Sequence, residues 1–253
     1  MLSPIEIAEK NIKMGETKAN LPIRKLLLYS ILAGMFIALA GVGATLGNIY
    51  GGKLVGSLIF PVGLIMVVVA GSQLFTGNNL MIMTWIKGKT TLGKLLKNWL
   101  FVYLGNFIGA LLITILVVYS GIFDAVSDSV VATAVTKNNL GFLEALIRGI
   151  LCNFLVCIAI WMSFGTESAS GKILTIIGPI FLFVLCGFEH SVANMFYGPA
   201  GVFTALKNNI SVEGLSLLGF FIHNLIPVTI GNIIGGAGIV SLSYYLIYYF
   251  NKK

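Results

Sequence analysis

The chain has 253 residues, 57% of them hydrophobic and only 10% charged, with a formal net charge of +7. A soluble domain carries about 25% charged residues, so this composition excludes an ordinary cytosolic domain. The positive charge sits at the termini and in short connections between apolar runs, which points away from a nucleic-acid partner.

The amino-terminal head, residues 1–24, opens with Ser3-Pro4-Ile5-Glu6. That is the spacing of a capping box with proline at the first helical position. Ile5, Ala8 and Ile12 then share one face, so the head is expected to form an amphipathic helix lying on the membrane surface. The apolar run that begins at Leu26 follows this long polar head and is too long for a cleaved leader, so it is read as a retained span.

Residues 25–253 are read as one transmembrane domain. Nearly uncharged stretches cover about 26–47, 54–75, 95–119, 142–164, 173–186 with a continuation past Ser191, and 217–250. A bilayer-spanning helix needs roughly 20 apolar residues, because in lipid each backbone polar group must be bonded within its own segment. Six spans is the economical reading, and the fold class is an all-α integral membrane protein.

Two spans are interrupted. The second breaks at Gly71-Ser72-Gln73-Leu74-Phe75-Thr76-Gly77-Asn78-Asn79, and the fifth at Gly187-Phe188-Glu189-His190-Ser191. Polar residues at such depth are tolerated only where protein or a water-filled cavity surrounds them. The third span contains Asn98 with Gly105-Asn106-Phe107-Ile108-Gly109, and the sixth Asn224 with Gly231-Asn232-Ile233-Ile234-Gly235. The shared string recurs at an offset of 126 residues, from Gly105 to Gly231, and marks an internal duplication with repeats at about 25–120 and 141–250. Each half has an odd number of spans, so the second copy enters from the opposite side and the two are inverted repeats with a site expected near the midplane. Gly43 and Gly47, Gly105 and Gly109, and Gly231 and Gly235 have the spacing of close helix packing.

Lys10, Lys13, Lys18, Arg24, Lys25, Lys87, Lys89, Lys94, Lys97, Lys172, Lys252 and Lys253 fall on one side of this arrangement. Lys53, Lys137 and Lys207 fall on the other. The positive-inside rule then places both termini in the cytoplasm. Cys152, Cys157 and Cys186 lie in apolar spans without metal-ligand spacing and read as buried small hydrophobes.

The chain resembles the formate/nitrite transporter family over essentially its whole length. The resemblance rests on Phe75-Thr76-Gly77, on Asn153 within Leu151-Cys152-Asn153-Phe154, on Trp161-Met162-Ser163, on the segment from Gly187 through His190 to Phe196, and on the segment from Asn224 to Gly236. It implies an aquaporin-like homopentamer in a bacterial inner membrane, one pore through each protomer, and a cytoplasmic amino-terminal helix. The Gly77-Asn78 step and the lysine-rich composition look closest to the clostridial hydrosulfide channel branch. The implied function is a channel for small monovalent anions, hydrosulfide first, with formate or nitrite as related substrates. A proton-coupled formate or nitrite transporter and an aquaporin-like neutral-solute pore are the alternatives. No cofactor or metal is implied.

By the same resemblance, His190 is the central histidine, Thr76 the threonine of the first break, and Asn153 the polar residue facing the pore from the fourth span. Lys137, read as lying in a connecting loop, corresponds to a lysine near the outer vestibule. Phe60, Leu64, Leu74 and Phe183 align with positions that narrow the pore. Physically, an imidazole at a helix break beside Glu189 departs from an ordinary core histidine, because ionisable groups in the membrane are functional by default. The expected mechanism combines free N–H groups at the starts of the resumed helices, His190 as a donor when neutral or a proton donor when cationic, and apolar rings that resist a hydrated ion. Glu189 is expected to orient the break by accepting backbone N–H bonds. Each of these residues also has a structural reading: packing for the four apolar side chains, backbone satisfaction for Asn153 and Thr76, a solvated charge for Lys137. Arg148 is expected to snorkel or to pair with Glu144, and His223 to be structural. An enzyme is not expected, since the two histidines come with no metal spacing and no nucleophile with a plausible base.

Overall fold

The computed structural model describes residues 1–250, in which every regular element is a helix and there is no strand; Lys252 and Lys253, counted above toward one face, lie outside the described residues. Helix α1 (Pro4–Ala19) starts at Ser3, whose hydroxyl and N–H both donate to the Glu6 carboxylate, at 2.6 and 2.7 Å. Those two bonds, the hydroxyl first, hold the Glu6 carboxyl below its ordinary pKa.

The apolar face that was expected to meet the membrane surface packs against the protein instead. Ile7, Ala8, Asn11, Ile12, Gly15 and Ala19 are buried against the rest of the protein. Asn11 Nδ2 donates to the Leu80 carbonyl at 3.3 Å, and Thr84 Oγ1 donates to the Ile12 carbonyl at 3.3 Å. Asn11 in the middle of the buried face explains the difference, since an amide needs partners that lipid cannot supply. Lys10 pairs with Glu167 in the connection after the fourth span.

Helix α2 (Ile23–Ile59) passes through Gly52, whose φ of 78° no ordinary side chain adopts readily. Beyond it the chain doubles back, because Gly47 meets Gly56, Gly43 meets Ile59, and Gly63 meets Ala40. Pairing that runs outward symmetrically from Gly52 is an antiparallel hairpin. Helix α2 therefore holds the first span and the start of the second, which continues through α3 (Pro61–Val69). After an extended stretch, the second span resumes as α4 (Phe75–Asn78) and α5 (Ile82–Ile86), joined by a tight turn at Asn79–Met81.

The third span is α6 (Leu92–Tyr119). Helix α7 (Ser127–Asn138) follows and contains Lys137, so that residue sits in a helix and not in a loop. The fourth span is α8 (Phe142–Phe164). The fifth is α9 (Ala169–Cys186), a break at Gly187 with φ 71°, and α10 (Ser191–Lys207). The sixth strings together α11 (Leu217–Phe220), a wide-turn segment at Phe221–Leu225, α12 (Ile226–Ile233), a second wide-turn segment at Ile234–Ser241, and α13 (Leu242–Tyr249).

The paired glycines serve packing. Gly105 and Gly109 of α6 press on α2 at Ser30 and Ile31, and Gly231 and Gly235 press on α8 at Leu146 and Ile150. Small residues here let backbones approach closely where lipid offers no hydrophobic drive between helices. Cys152 and Cys157 are buried, but Cys186, the last residue of α9, is exposed. Large apolar side chains such as Leu28, Leu116, Leu143 and Leu174 are exposed around the protomer, as membrane or subunit contact requires.

Candidate functional site

Each break is clamped by an asparagine from the duplicated string. Phe75 N–H donates to Asn106 Oδ1 at 2.9 Å, and Ser191 N–H donates to Asn232 Oδ1 at 2.9 Å. The Asn106 amide nitrogen donates to the carbonyls of Ser30 and Gln73 at 2.7 and 2.9 Å. The Asn232 amide nitrogen donates to those of Gly149 and Glu189 at 2.8 and 3.0 Å. In addition, Ala193 N–H donates to His190 Nδ1 at 3.0 Å. The expectation that the resumed helices present free N–H groups is thus corrected at Phe75, Ser191 and Ala193. Their donors are consumed by caps, since an unpaired N–H buried in a membrane is costly.

His190 Nε2 lies 2.9 Å from Thr76 Oγ1. A backbone N–H only donates, so Nδ1 must carry a lone pair, and the neutral imidazole holds its proton on Nε2. Nε2–H therefore donates to Thr76, which leaves the Thr76 hydroxyl proton uncommitted. A cationic His190 would give up the Ala193 cap, so the neutral donor is the form this geometry holds. Thr76 is fully buried and His190 is 3% exposed.

Phe60, Leu64, Leu74 and Phe183 come together around His190, where they enclose a cavity of about 10 Å³ with Ile37, Val156 and Ile180. That is room for about one water. The Phe60 and Phe183 rings meet edge to face at 5.7 Å between centroids. Leu74 also lines a cavity of about 460 Å³ on the α1 side, which contains Lys18, Gln73 and Asn78. Phe60, Phe183 and His190 also line one of about 180 Å³ on the α7 side, which contains Lys137, Glu189 and Tyr197. Two vestibules flank one narrow chamber.

Glu189 does not accept the backbone N–H bonds expected of it. Its oxygens accept from Lys137 Nζ at 2.7 Å and from the amides of Asn194 and Asn224 at 2.6 and 3.4 Å. Docking α7 over the fifth span delivers the lysine, and the ion pair offsets the Lys137 charge. Asn153, like Thr76, lines none of the three cavities. Its amide nitrogen donates to the carbonyls of Thr76 and Asn232 and to Asn79 Oδ1, at 3.2, 2.7 and 2.9 Å. It ties the two breaks together. Arg148 pairs with Glu144 at 2.5 Å and donates to the Gly187 carbonyl at 3.3 Å, and His223 is exposed.

Lys18 is the site residue that sequence reasoning missed. From α1 its Nζ donates to Asn78 Oδ1 at 2.8 Å, and burial lowers the ammonium from the ordinary lysine range to about 8. Its only sequence signal is a cation set between the buried positions Gly15 and Ala19. Among the described residues no cluster of His, Cys, Asp or Glu is arranged to hold a metal.

The model of the formate/nitrite transporter family matches residues 5–246. Formate channel FocA of Escherichia coli K12 is 40% identical over 98% of this chain and 95% of its own length. The uncharacterized transporter YrhG of Bacillus subtilis is 41% identical over 97% of this chain and 93% of its own. A solved pentameric formate channel with formate bound superposes with a TM-score of 0.78 at 33% identity, covering 89% of this chain and 97% of that one. An ion channel of the same family superposes at 0.83 and 29% identity, covering 96% and 98%. The likeness to the hydrosulfide branch gains no support from these relatives. With the family model spanning nearly every residue and the fold shared end to end, the chain belongs to the formate/nitrite transporter family.

Proposed function

We propose that the chain forms a homopentameric channel for small monovalent anions, with formate as the substrate, and that each protomer encloses its own path. One observation carries the reading: the chamber of about 10 Å³ in which four apolar side chains and His190 separate two vestibules. The apolar walls oppose a hydrated charge, while the Thr76 hydroxyl, oriented by His190 Nε2–H, offers a carboxylate oxygen a hydrogen bond. The relatives named as formate channels and the pentameric neighbour support the substrate and the assembly. The concentration of lysine and arginine on the α1 face supports a cytoplasmic location for that face and for both termini, in a bacterial inner membrane.

The test is flux in proteoliposomes of purified protein, challenged with formate, nitrite, hydrosulfide and chloride at two pH values, beside Thr76→Ala and His190→Ala. Formate flux without an imposed proton gradient, reduced in both variants, is the expected result. Absence of flux for every anion overturns the reading. Flux that requires a proton gradient makes the protein a coupled transporter, flux led by hydrosulfide reassigns the substrate, and water flux matching anion flux makes it a neutral-solute pore.

A further inference from the structure

The hydrogen bonds around the two breaks form one pattern written twice. On the α7 side Asn194 Nδ2 donates to Glu189 Oε2 at 2.6 Å and to Asn224 Oδ1 at 2.7 Å, and Asn224 Nδ2 donates to the Lys137 carbonyl at 2.9 Å. On the α1 side Asn78 Nδ2 donates to Gln73 Oε1 at 2.9 Å and to Asn98 Oδ1 at 2.9 Å, and Asn98 Nδ2 donates to the Lys18 carbonyl at 3.2 Å. Helix α1 is therefore the counterpart of α7, Lys18 of Lys137, and Gln73 of Glu189.

The copies differ in charge at one atom group. Lys137 Nζ reaches the carboxylate of Glu189 at 2.7 Å. Lys18 Nζ has an amide, not a carboxylate, at the matching place, and settles on Asn78 Oδ1 at 2.8 Å. The bookkeeping of acceptors agrees, because Asn194 Oδ1, the counterpart of the oxygen that Lys18 uses, is buried without a partner. Among the described residues no carboxylate lines the α1-side vestibule, while the α7-side vestibule contains both members of the ion pair.

We propose that Gln73 determines the direction from which the pore captures anions most readily: by leaving Lys18 uncompensated, it makes the α1-side vestibule the attractive one. This rests on the anion-channel reading above. A charge in a vestibule with low-dielectric walls raises the local concentration of the permeant ion. Lys53 and Arg148 do not restore the balance at the other mouth, since Arg148 is paired with Glu144 and Lys53 is an exposed charge that salt screens.

Microscopic reversibility requires that a passive pore have equal permeability from both faces at vanishing concentration and zero voltage. The asymmetry shows in saturation instead. Vesicles are sorted by an amino-terminal affinity tag so that every α1 face points outward, voltage is clamped at zero, and initial formate influx and efflux are measured over a concentration series. The half-saturating concentration is expected to be about two- to fivefold lower for entry from the α1 face at low ionic strength, and the ratio to fall toward one as salt shortens the screening length. Gln73→Glu supplies the missing carboxylate and brings the ratio to about one at low salt as well. Lys18→Gln does the same by removing the cation, and it carries the test if Gln73→Glu fails to assemble. A ratio of one in the wild type, or either conducting variant keeping the wild-type ratio, overturns the proposal while leaving the channel reading in place. No formate flux from either face overturns both.

Discussion

Thr76 and His190, 114 positions apart in the chain, meet at 2.9 Å between Oγ1 and Nε2. The contact exists because Asn106 and Asn232 hold the two breaks by the same set of bonds and Asn153 ties one break to the other. It sets the orientation of the hydroxyl that the proposed path uses.

Thr76→Val keeps the volume of the side chain and removes that donor. Formate flux is expected to fall roughly tenfold, the loss of one hydrogen bond of about 1.4 kcal/mol at the narrow point, while Thr76→Ser retains most of it. Stopped-flow uptake into proteoliposomes checks both, and an unaltered rate in the valine variant would remove Thr76 from the path.

Lys137 and Glu189 form an ion pair with side chains 17% and 4% exposed. Glu189→Gln leaves a largely buried ammonium unpaired and is expected to destabilise the protein by about 3 kcal/mol or more. Adding Lys137→Met to Glu189→Gln should recover part of that loss, because the stranded charge is gone. Thermal melts of the detergent-solubilised wild type, single variant and double variant read the sign directly.

Lys18 carries a pH dependence. Burial lowers its ammonium to about 8, so it is charged in the fold below that pH and neutral above it, while the unfolded chain keeps the proton up to about 10.4. Between those values the unfolded state binds more protons, so stability rises with pH across that window. The capture asymmetry runs the other way and is expected to fade as pH rises through about 8. Of the groups lining the vestibule beside Lys18, only Tyr29 is also titratable, and the Lys18→Gln variant separates its contribution. A capture ratio unchanged from pH 7 to pH 9 would contradict the assignment.

Gly109 and Gly93 both lie in α6, but a Cβ at Gly109 would overlap the Ile31 carbonyl oxygen, whereas one at Gly93 meets nothing within 4 Å. Gly109→Ala is expected to cost about 1–3 kcal/mol by forcing α6 off α2. Gly93→Ala should be neutral or gain up to about 1 kcal/mol from helix propensity. Melting temperatures of the two variants, measured together, distinguish packing from propensity within one helix.

Much of this is legible in the amino-acid sequence. The run lengths of apolar residues gave the spans, the string around Asn106 and Asn232 exposed the duplication, and the polar interruptions at Thr76 and His190 marked where the halves meet. Both breaks read from the sequence contain the residues at which the helices resume, Leu74 capping α4 and His190 capping α10. Lys137 was less legible, since α7 has too little apolar contrast to declare itself a helix. The roles of Glu189 and Asn153 were not legible either, because a buried polar side chain satisfies whichever group the fold brings within about 3 Å.

Six bilayer crossings in two related halves with polar breaks can be read from the residue order alone, because hydropathy and repetition are local, one-dimensional properties that lipid enforces segment by segment. Which polar groups are bonded and which are free depends on packing in three dimensions. It capped Phe75 and Ser191, paired Lys137 with Glu189, docked α1 against the bundle, and left Lys18 facing an amide. Those outcomes depend on contacts between residues dozens of positions apart, and each buried donor or acceptor takes its partner from what packing places beside it.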